Sequence, residues 1–229
     1  MADLNAVPQP VVLINPNTTL ATTQKMVEIA RDFAALQGAQ ISLSGLTAKW
    51  GAPLITTDVA LAEAGDAVIG LLPEIPAGTA AVIVSAFGDP GLEGLRGLLS
   101  IPVVGIAEAA FLVAGINGRR FSVATTTSEL VGAITHRAGT YGFGDQLASV
   151  RLTEGEAVQL MADEGHLTEA LGRAVELAVR EDGAEAVIIG GGPLAVAARH
   201  LANTSPVPLI EPIPAAVRLV TERIAATVG

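Results

Sequence analysis

The chain has 229 residues, enough for one large domain or two small lobes, and half of them are hydrophobic while only 3% are aromatic. Its core therefore has to be built from Ala, Val, Leu and Ile, the composition of parallel sheets covered by helices on both faces. A formal net charge of −10 without a basic cluster argues against nucleic-acid partners, and the lack of any cysteine excludes disulfides, thiolate metal sites and thiol nucleophiles.

Met1 to Pro8 carry neither a basic residue nor an apolar core, so no signal peptide is expected there and a cytoplasmic location is the expectation. Val11-Val12-Leu13-Ile14 reads as a short strand ending at Asn15-Pro16-Asn17, followed by a helical pattern to about Leu36. The same strand-then-loop reading fits Ala81 to Val84 before Ser85-Ala86-Phe87-Gly88-Asp89-Pro90-Gly91. It fits Phe121 to Ala124 before Thr125-Thr126-Thr127-Ser128, and Ala186 to Ile189 before Gly190-Gly191-Gly192-Pro193. The longest apolar tract, Ile101 to Ile116, is interrupted by Glu108 and is too short to span a bilayer, so no membrane partner is expected.

Each of these strands ends in small or polar residues. In open parallel sheets ligands bind outside the carboxyl ends of the strands, where such loops let backbone donors approach. The four loops are therefore candidate sites, although ordinary strand-to-helix turns favour the same residues.

The chain also repeats itself. Ala81 to Gly88 resembles Ala186 to Pro193, Ile101 to Ala110 resembles Val207 to Ala216, and the first strand with its Asn15 to Thr18 loop matches Val123 to Thr127, Ile14 falling on Ala124, in order and at a nearly constant separation. The duplication predicts an α/β protein of two pseudo-symmetric parallel-sheet lobes, with flanking helices, right-handed connections and one ligand cleft between them. The first lobe is expected over 1–103 plus 211–229 and the second over 104–210, which sets Ala86 and Gly191 at equivalent places facing one another across the cleft.

Five segments carry a resemblance to a known family: Ile14 to Thr19, Phe87 to Leu92, Val104 to Ala110, Phe121 to Thr126, and Glu181 to Ile188. They resemble the aspartate/glutamate/hydantoin racemases, most closely the hydantoin and allantoin racemases, over nearly the whole chain. The resemblance implies a small carboxylate or cyclic ureide bound between the halves and a proton moved at its α-carbon by one cysteine from each half. It places those cysteines at Ala86 and Gly191, where neither side chain can exchange a proton. The related arylmalonate decarboxylases lack only the first cysteine and stabilise a carbanion in a cradle of donors.

What remains here is a candidate cradle for a small anionic or ureide-like ligand. Its expected members are Asn15, Asn17, Thr18, Ser85, Ala86, Phe87, Gly88, Thr125, Thr126, Gly191 and Gly192, with N–H groups of residues 86 to 88 and 191 to 192 as donors. A replacement acid or base has three candidates. Glu211 lies at a strand end, where burial beside Ile210 and Pro212 would raise its pKa. Asp89 reads either as such a group or as the N-cap of the helix that follows it. Tyr141 reads either as an oxyanion donor or as a packing residue, and Glu108 as a helix cap or a bridge between the halves. His136, His166 and His200 are too scattered for a metal, and Gly190-Gly191-Gly192 lacks the register of a dinucleotide fingerprint, so neither metal nor organic cofactor is expected. Two functions fit: a cofactor-independent isomerase or related carbanion or hydrolytic enzyme using a non-thiol group, and a binding protein that keeps the cleft without chemistry. Assembly into a homo-oligomer is left open.

Overall fold

The computed structural model describes residues 7–191 and 194–228. The first half runs β1 (Gln9–Asn15), α1 (Leu20–Leu36), β2 (Ile41–Thr47), α2 (Asp58–Gly70), β3 (Ala81–Val84), α3 (Leu92–Leu98), β4 (Val103–Gly105) and α4 (Ile106–Ala114). The second runs β5 (Phe121–Thr125), α5 (Val131–Thr140), β6 (Leu147–Leu152), α6 (Ala157–Ala162), α7 (Glu164–Asp182), β7 (Ala186–Ile189), α8 (Ala195–Ala202) and β8 (Leu209–Ile210), and the chain closes with α9 (Pro212–Val228). Two wholly parallel four-stranded sheets result, ordered β2-β1-β3-β4 and β6-β5-β7-β8. The identical order makes β1 and β5, and β3 and β7, equivalent, which is the duplication read from the repeats.

The central strands are apolar on both faces because both faces are covered. In β1 and β3, Val11, Leu13, Ala81 and Ile83 face the core shared by the two halves, whereas Val12, Ile14, Val82 and Val84 face α2 and α3. The helices carry matching stripes. In α7 the buried residues Leu167, Ala170, Leu171, Ala174, Val175 and Ala178 recur at three- and four-residue spacing. Asp163 caps its start by accepting from the N–H of His166, and Gly183, left-handed at φ 68°, ends it.

α4 is the spine between the sheets. It packs on α9, touches β7 and β8, and carries Phe111, whose ring lies 5.7 Å from both Phe87 and Phe121 and 6.3 Å from Phe143. Four of the five phenylalanines thus gather where the halves meet, and each such aromatic pair contributes about 0.5–1.5 kcal/mol beyond its buried area. After β8 the chain returns to the first sheet, where α9 packs on α1, α4, β3 and β4. Among the described residues no helix is long and apolar enough to cross a membrane.

Candidate active site

The loops after β1, β3, β5 and β7 converge on one cleft between the two sheets, with a cavity volume of ≈ 80 Å³. Asn17, Ser85, Ala86, Phe87, Thr126 and Gly191 all line it, so the two positions corresponding to the family's cysteines open on one cavity. Met26, Leu61, Leu130, Ile134, Met161 and Leu194 supply its apolar wall. Not one of the described lining residues is Asp, Glu, His, Lys, Arg or Tyr. No described lining side chain therefore titrates near neutrality.

Two residues expected on the wall stand behind it. Asn15 is fully buried at the end of β1: its Oδ1 accepts from the Asn17 N–H at 3.1 Å, and its Nδ2 donates to Asn17 Oδ1 at 2.8 Å and Thr23 Oγ1 at 2.9 Å. The Thr19 N–H also donates to Asn17 Oδ1, at 2.9 Å. With that oxygen doubly engaged, Asn17 has its Nδ2 hydrogens left for the cleft. In the other half Thr125, 1% exposed, donates to the Gly190 carbonyl at 3.0 Å and contacts Thr127 Oγ1 at 3.1 Å. A strand end fixed by hydrogen bonds needs its polar atoms satisfied, which is why Asn15 and Thr125 turn inward rather than toward a ligand.

The backbone donors divide in the same way. The N–H groups of Ala86 and Phe87 have no acceptor among the described residues, whereas the Gly191 N–H is taken by the Ile189 carbonyl at 3.0 Å and is removed from the expected cradle. Gly192 lies outside the described residues. Thr18 uses its N–H on the Ala52 carbonyl and is not in the lining. Gly88 faces a neighbouring cavity beside Arg137, which donates to its carbonyl at 2.9 Å.

The three candidate acids or bases lie outside the lining as well. Asp89 is fully buried and caps α4 rather than the helix that follows it: its carboxylate accepts from the N–H groups of Ala107 at 2.9 Å and Glu108 at 2.8 Å. The carboxylate sits where any side chain at Gly105 would stand, a Cβ there lying 2.2 Å from Asp89 Cγ. Burial raises Asp89 to about 6 against those bonds, the Tyr141 hydroxyl and the charge of Arg137. The Tyr141 hydroxyl donates to Asp89 Oδ2 at 2.8 Å, tying the second half to the first, and its own pKa is raised by burial and then by that carboxylate. Glu211 turns to Arg199 of α8 at 3.3 Å; burial raises its pKa and that cation partly offsets the rise. Glu108 caps α4 and, instead of reaching between the halves, ties it to α3 and α9 on the first sheet through Arg96 and Arg223 at 2.7 Å each, which outweigh its burial and hold its pKa low.

Sequence reasoning missed Thr127 and the apolar wall. Thr127 was open to it, since the alignment of the two halves sets Asn15 against Thr125 and therefore Asn17 against Thr127. Met161 and Leu194 carried no such signal, for an apolar helix position facing a cleft is written like one facing the core.

Comparison with known proteins agrees with this geometry. The family model for Asp/Glu/Hydantoin racemase matches residues 11–220. A hydantoin racemase of Rhizobium meliloti is 32% identical over 216 residues, covering 90% of this chain and 85% of that protein. One from Paenarthrobacter aurescens is 29% identical over 222 residues, covering 94% and 91%. Among solved structures, the allantoin racemase of Pseudomonas fluorescens superposes with a TM-score of 0.89 at 31% identity, covering 96% of this chain and 92% of that one.

Proposed function

The chain belongs to the Asp/Glu/hydantoin racemase family, and from that premise we propose that it is a cofactor-independent isomerase of hydantoin-like substrates that works by enolate stabilisation instead of paired thiols. The observation that carries this reading is the donor set at the cleft: the Asn17 amide hydrogens, free because Oδ1 is doubly engaged, beside the unpartnered N–H groups of Ala86 and Phe87.

The substrate carbonyl next to the α-carbon accepts from these donors. When the α C–H bond breaks, its electron pair moves into the enolate and the charge grows on that carbonyl oxygen, where preformed donors inside an apolar wall act most strongly. Because no described lining side chain titrates near neutrality, a water in the cleft takes the proton. Water on the opposite face returns one to the α-carbon, inverting it, and the hydroxide so formed neutralises the hydronium left by the first step. One oxyanion donor is worth about 10²- to 10³-fold in rate, and each missing acid or base costs about 10²- to 10⁴-fold. The result is a slow isomerase compared with a two-thiol enzyme.

The same lack of an ionisable lining group favours one other reading, a ureide-binding protein without turnover. Loss of the α-hydrogen signal of a 5-substituted hydantoin in D₂O separates the two. Exchange above the protein-free rate, abolished by Asn17→Ala, supports the isomerase. Thermal stabilisation by the hydantoin with exchange at the blank rate rejects it in favour of binding.

A further inference from the structure

We infer that Arg137 and Tyr141, both from the second half, are positioning residues that hold the first half's Ala86–Asp89 turn in the shape that presents the Ala86 and Phe87 N–H groups to the cleft. The inference rests on the reading that these two groups are the oxyanion donors, and it names what sets them.

The turn is closed by the Asp89 N–H, which donates to the Ala86 carbonyl at 3.0 Å. Its last two residues both have positive φ, Gly88 at 134° and Asp89 at 49°. Glycine adopts such angles freely, but an aspartate does so at a cost and keeps the conformation only where its surroundings over-determine it. Here they do so from both halves. The Asp89 carboxylate accepts from the Ala107 and Glu108 N–H groups of α4 on one side and from the Tyr141 hydroxyl at 2.8 Å on the other. Arg137 Nε donates to the Gly88 carbonyl at 2.9 Å.

Arg137 holds the deciding atom. The Gly88 carbonyl and the Asp89 N–H belong to one planar peptide unit, which is therefore gripped at one end by Arg137 and at the other by the Ala86 carbonyl. A tilt that breaks one bond misaligns the other, and a cationic donor on the carbonyl polarises the unit and strengthens the bond that closes the turn. Arg137 on α5 and Tyr141 at its C-terminal cap lie four residues apart and so share a face, with the guanidinium carbon 5.8 Å from the centre of the tyrosine ring. Neither residue lines the cleft, so both act through the turn. The donors of the first half are complete only with α5 of the second half against them.

Two measurements on the full chain test the inference: α-proton exchange of a 5-substituted hydantoin in D₂O over a range of concentrations, and amide nitrogen–proton spectra of labelled protein. Arg137→Ala should lower kcat about tenfold with KM changed far less, because the donors act most strongly in the transition state. Millimolar methylguanidinium should restore much of that loss, and Arg137→Lys, which keeps a donor for the Gly88 carbonyl, should retain more activity than Arg137→Ala. Tyr141→Phe should act in the same sense by a smaller factor, since α4 still holds Asp89. In the spectra of Arg137→Ala the Ala86 and Phe87 signals should move while those of β2 stay, and a thermal melt on each variant reports folding. A purely stabilising Arg137 would lower the melting temperature and leave kcat and these two signals unchanged, which overturns the inference; a loss that neither methylguanidinium nor lysine restores also overturns it. If wild type exchanges at the blank rate the isomerase reading falls and the spectra decide alone, moved signals leaving the positioning standing and unmoved signals overturning it.

Discussion

Returning a thiol to the second half requires more than Gly191→Cys. Gly191 opens on the cleft, yet a Cβ placed there lies 2.8 Å from Leu194 Cδ1 and 2.9 Å from Leu194 Cγ, closer than carbon atoms pack, while Leu194 Cβ at 3.9 Å is an ordinary contact. Leu194 is 2% exposed and packs in the core of α7 and α8 on one side and on the cleft on the other, so admitting the Cβ requires it to give up part of that packing. Overpacking of this kind costs about 1–3 kcal/mol, offset by about 0.4–1 kcal/mol because losing a glycine restricts the unfolded chain. Taken at the middle of each range, Gly191→Cys alone should therefore destabilise by about 1.3 kcal/mol, a fall of roughly 3–5 °C in melting temperature for a chain of this length. Leu194→Ala alone should cost about 2–5 kcal/mol through its cavity, but in that background Gly191→Cys should add almost nothing, since the Cγ and Cδ1 atoms it would strike are gone. Urea denaturation of the four proteins in a double-mutant cycle measures the coupling, expected at about 1–2 kcal/mol. A stability of Gly191→Cys equal to wild type, or strict additivity with Leu194→Ala, would refute the claim that Leu194 has taken the space of a second-half thiol.

Further expectations concern the seam between the halves and the chemistry of the chain. Burial raises Asp89 from 3.8 to about 6, so the stability of the neutral form is fully present below about pH 3.8 and is lost as pH rises through about 6. Relative to Asp89→Asn, wild type should lose roughly 3 kcal/mol across that window in urea melts, and parallel pH profiles would contradict this. Glu108 behaves oppositely: its pKa is held low by Arg223 and Arg96, so its contribution is present at neutrality and is lost on acidification. Glu108→Gln should cost roughly 1.5–3 kcal/mol at pH 7, and an unchanged urea midpoint would count against the ion pairs. Iodoacetamide should leave both ligand binding and α-proton exchange unaltered, because the chain has no cysteine; inactivation within minutes would require another nucleophile in the cleft.

The architecture was legible in the sequence because it rests on local patterns. Apolar runs such as Val11 to Ile14 and Ala186 to Ile189 end in small or polar residues, as parallel strands between two helical layers do, and their repetition revealed the duplication. Legibility failed where a side chain's partner is distant in the chain. Asp89 has the local pattern of an N-cap, but the N–H groups it satisfies belong to Ala107 and Glu108 on a helix that begins beyond the next strand. Glu211 sits at a strand end as a catalytic carboxylate would, yet Arg199 on α8 takes it. Asn15 and Thr125 were recognisable as polar strand ends, but only three-dimensional hydrogen bonding reveals that each serves the residue two places on. The cleft walls were hidden for a related reason: helical periodicity tells that Ile134 or Met161 is turned inward, not whether a core or a cavity awaits it.

The central claim is that the donors at Asn17, Ala86 and Phe87 stabilise an enolate without any ionisable partner, and hydrogen–deuterium exchange at the α-carbon of a 5-substituted hydantoin measures it most directly. Wild-type protein in D₂O should exchange that hydrogen faster than the protein-free solution. Asn17→Ala should slow it by about 10²-fold or to the blank rate, with the melting temperature lowered by only a few degrees as the Asn15 amide and the Thr19 N–H lose an acceptor. Exchange at the blank rate with wild type, or exchange that survives Asn17→Ala undiminished, would contradict the account.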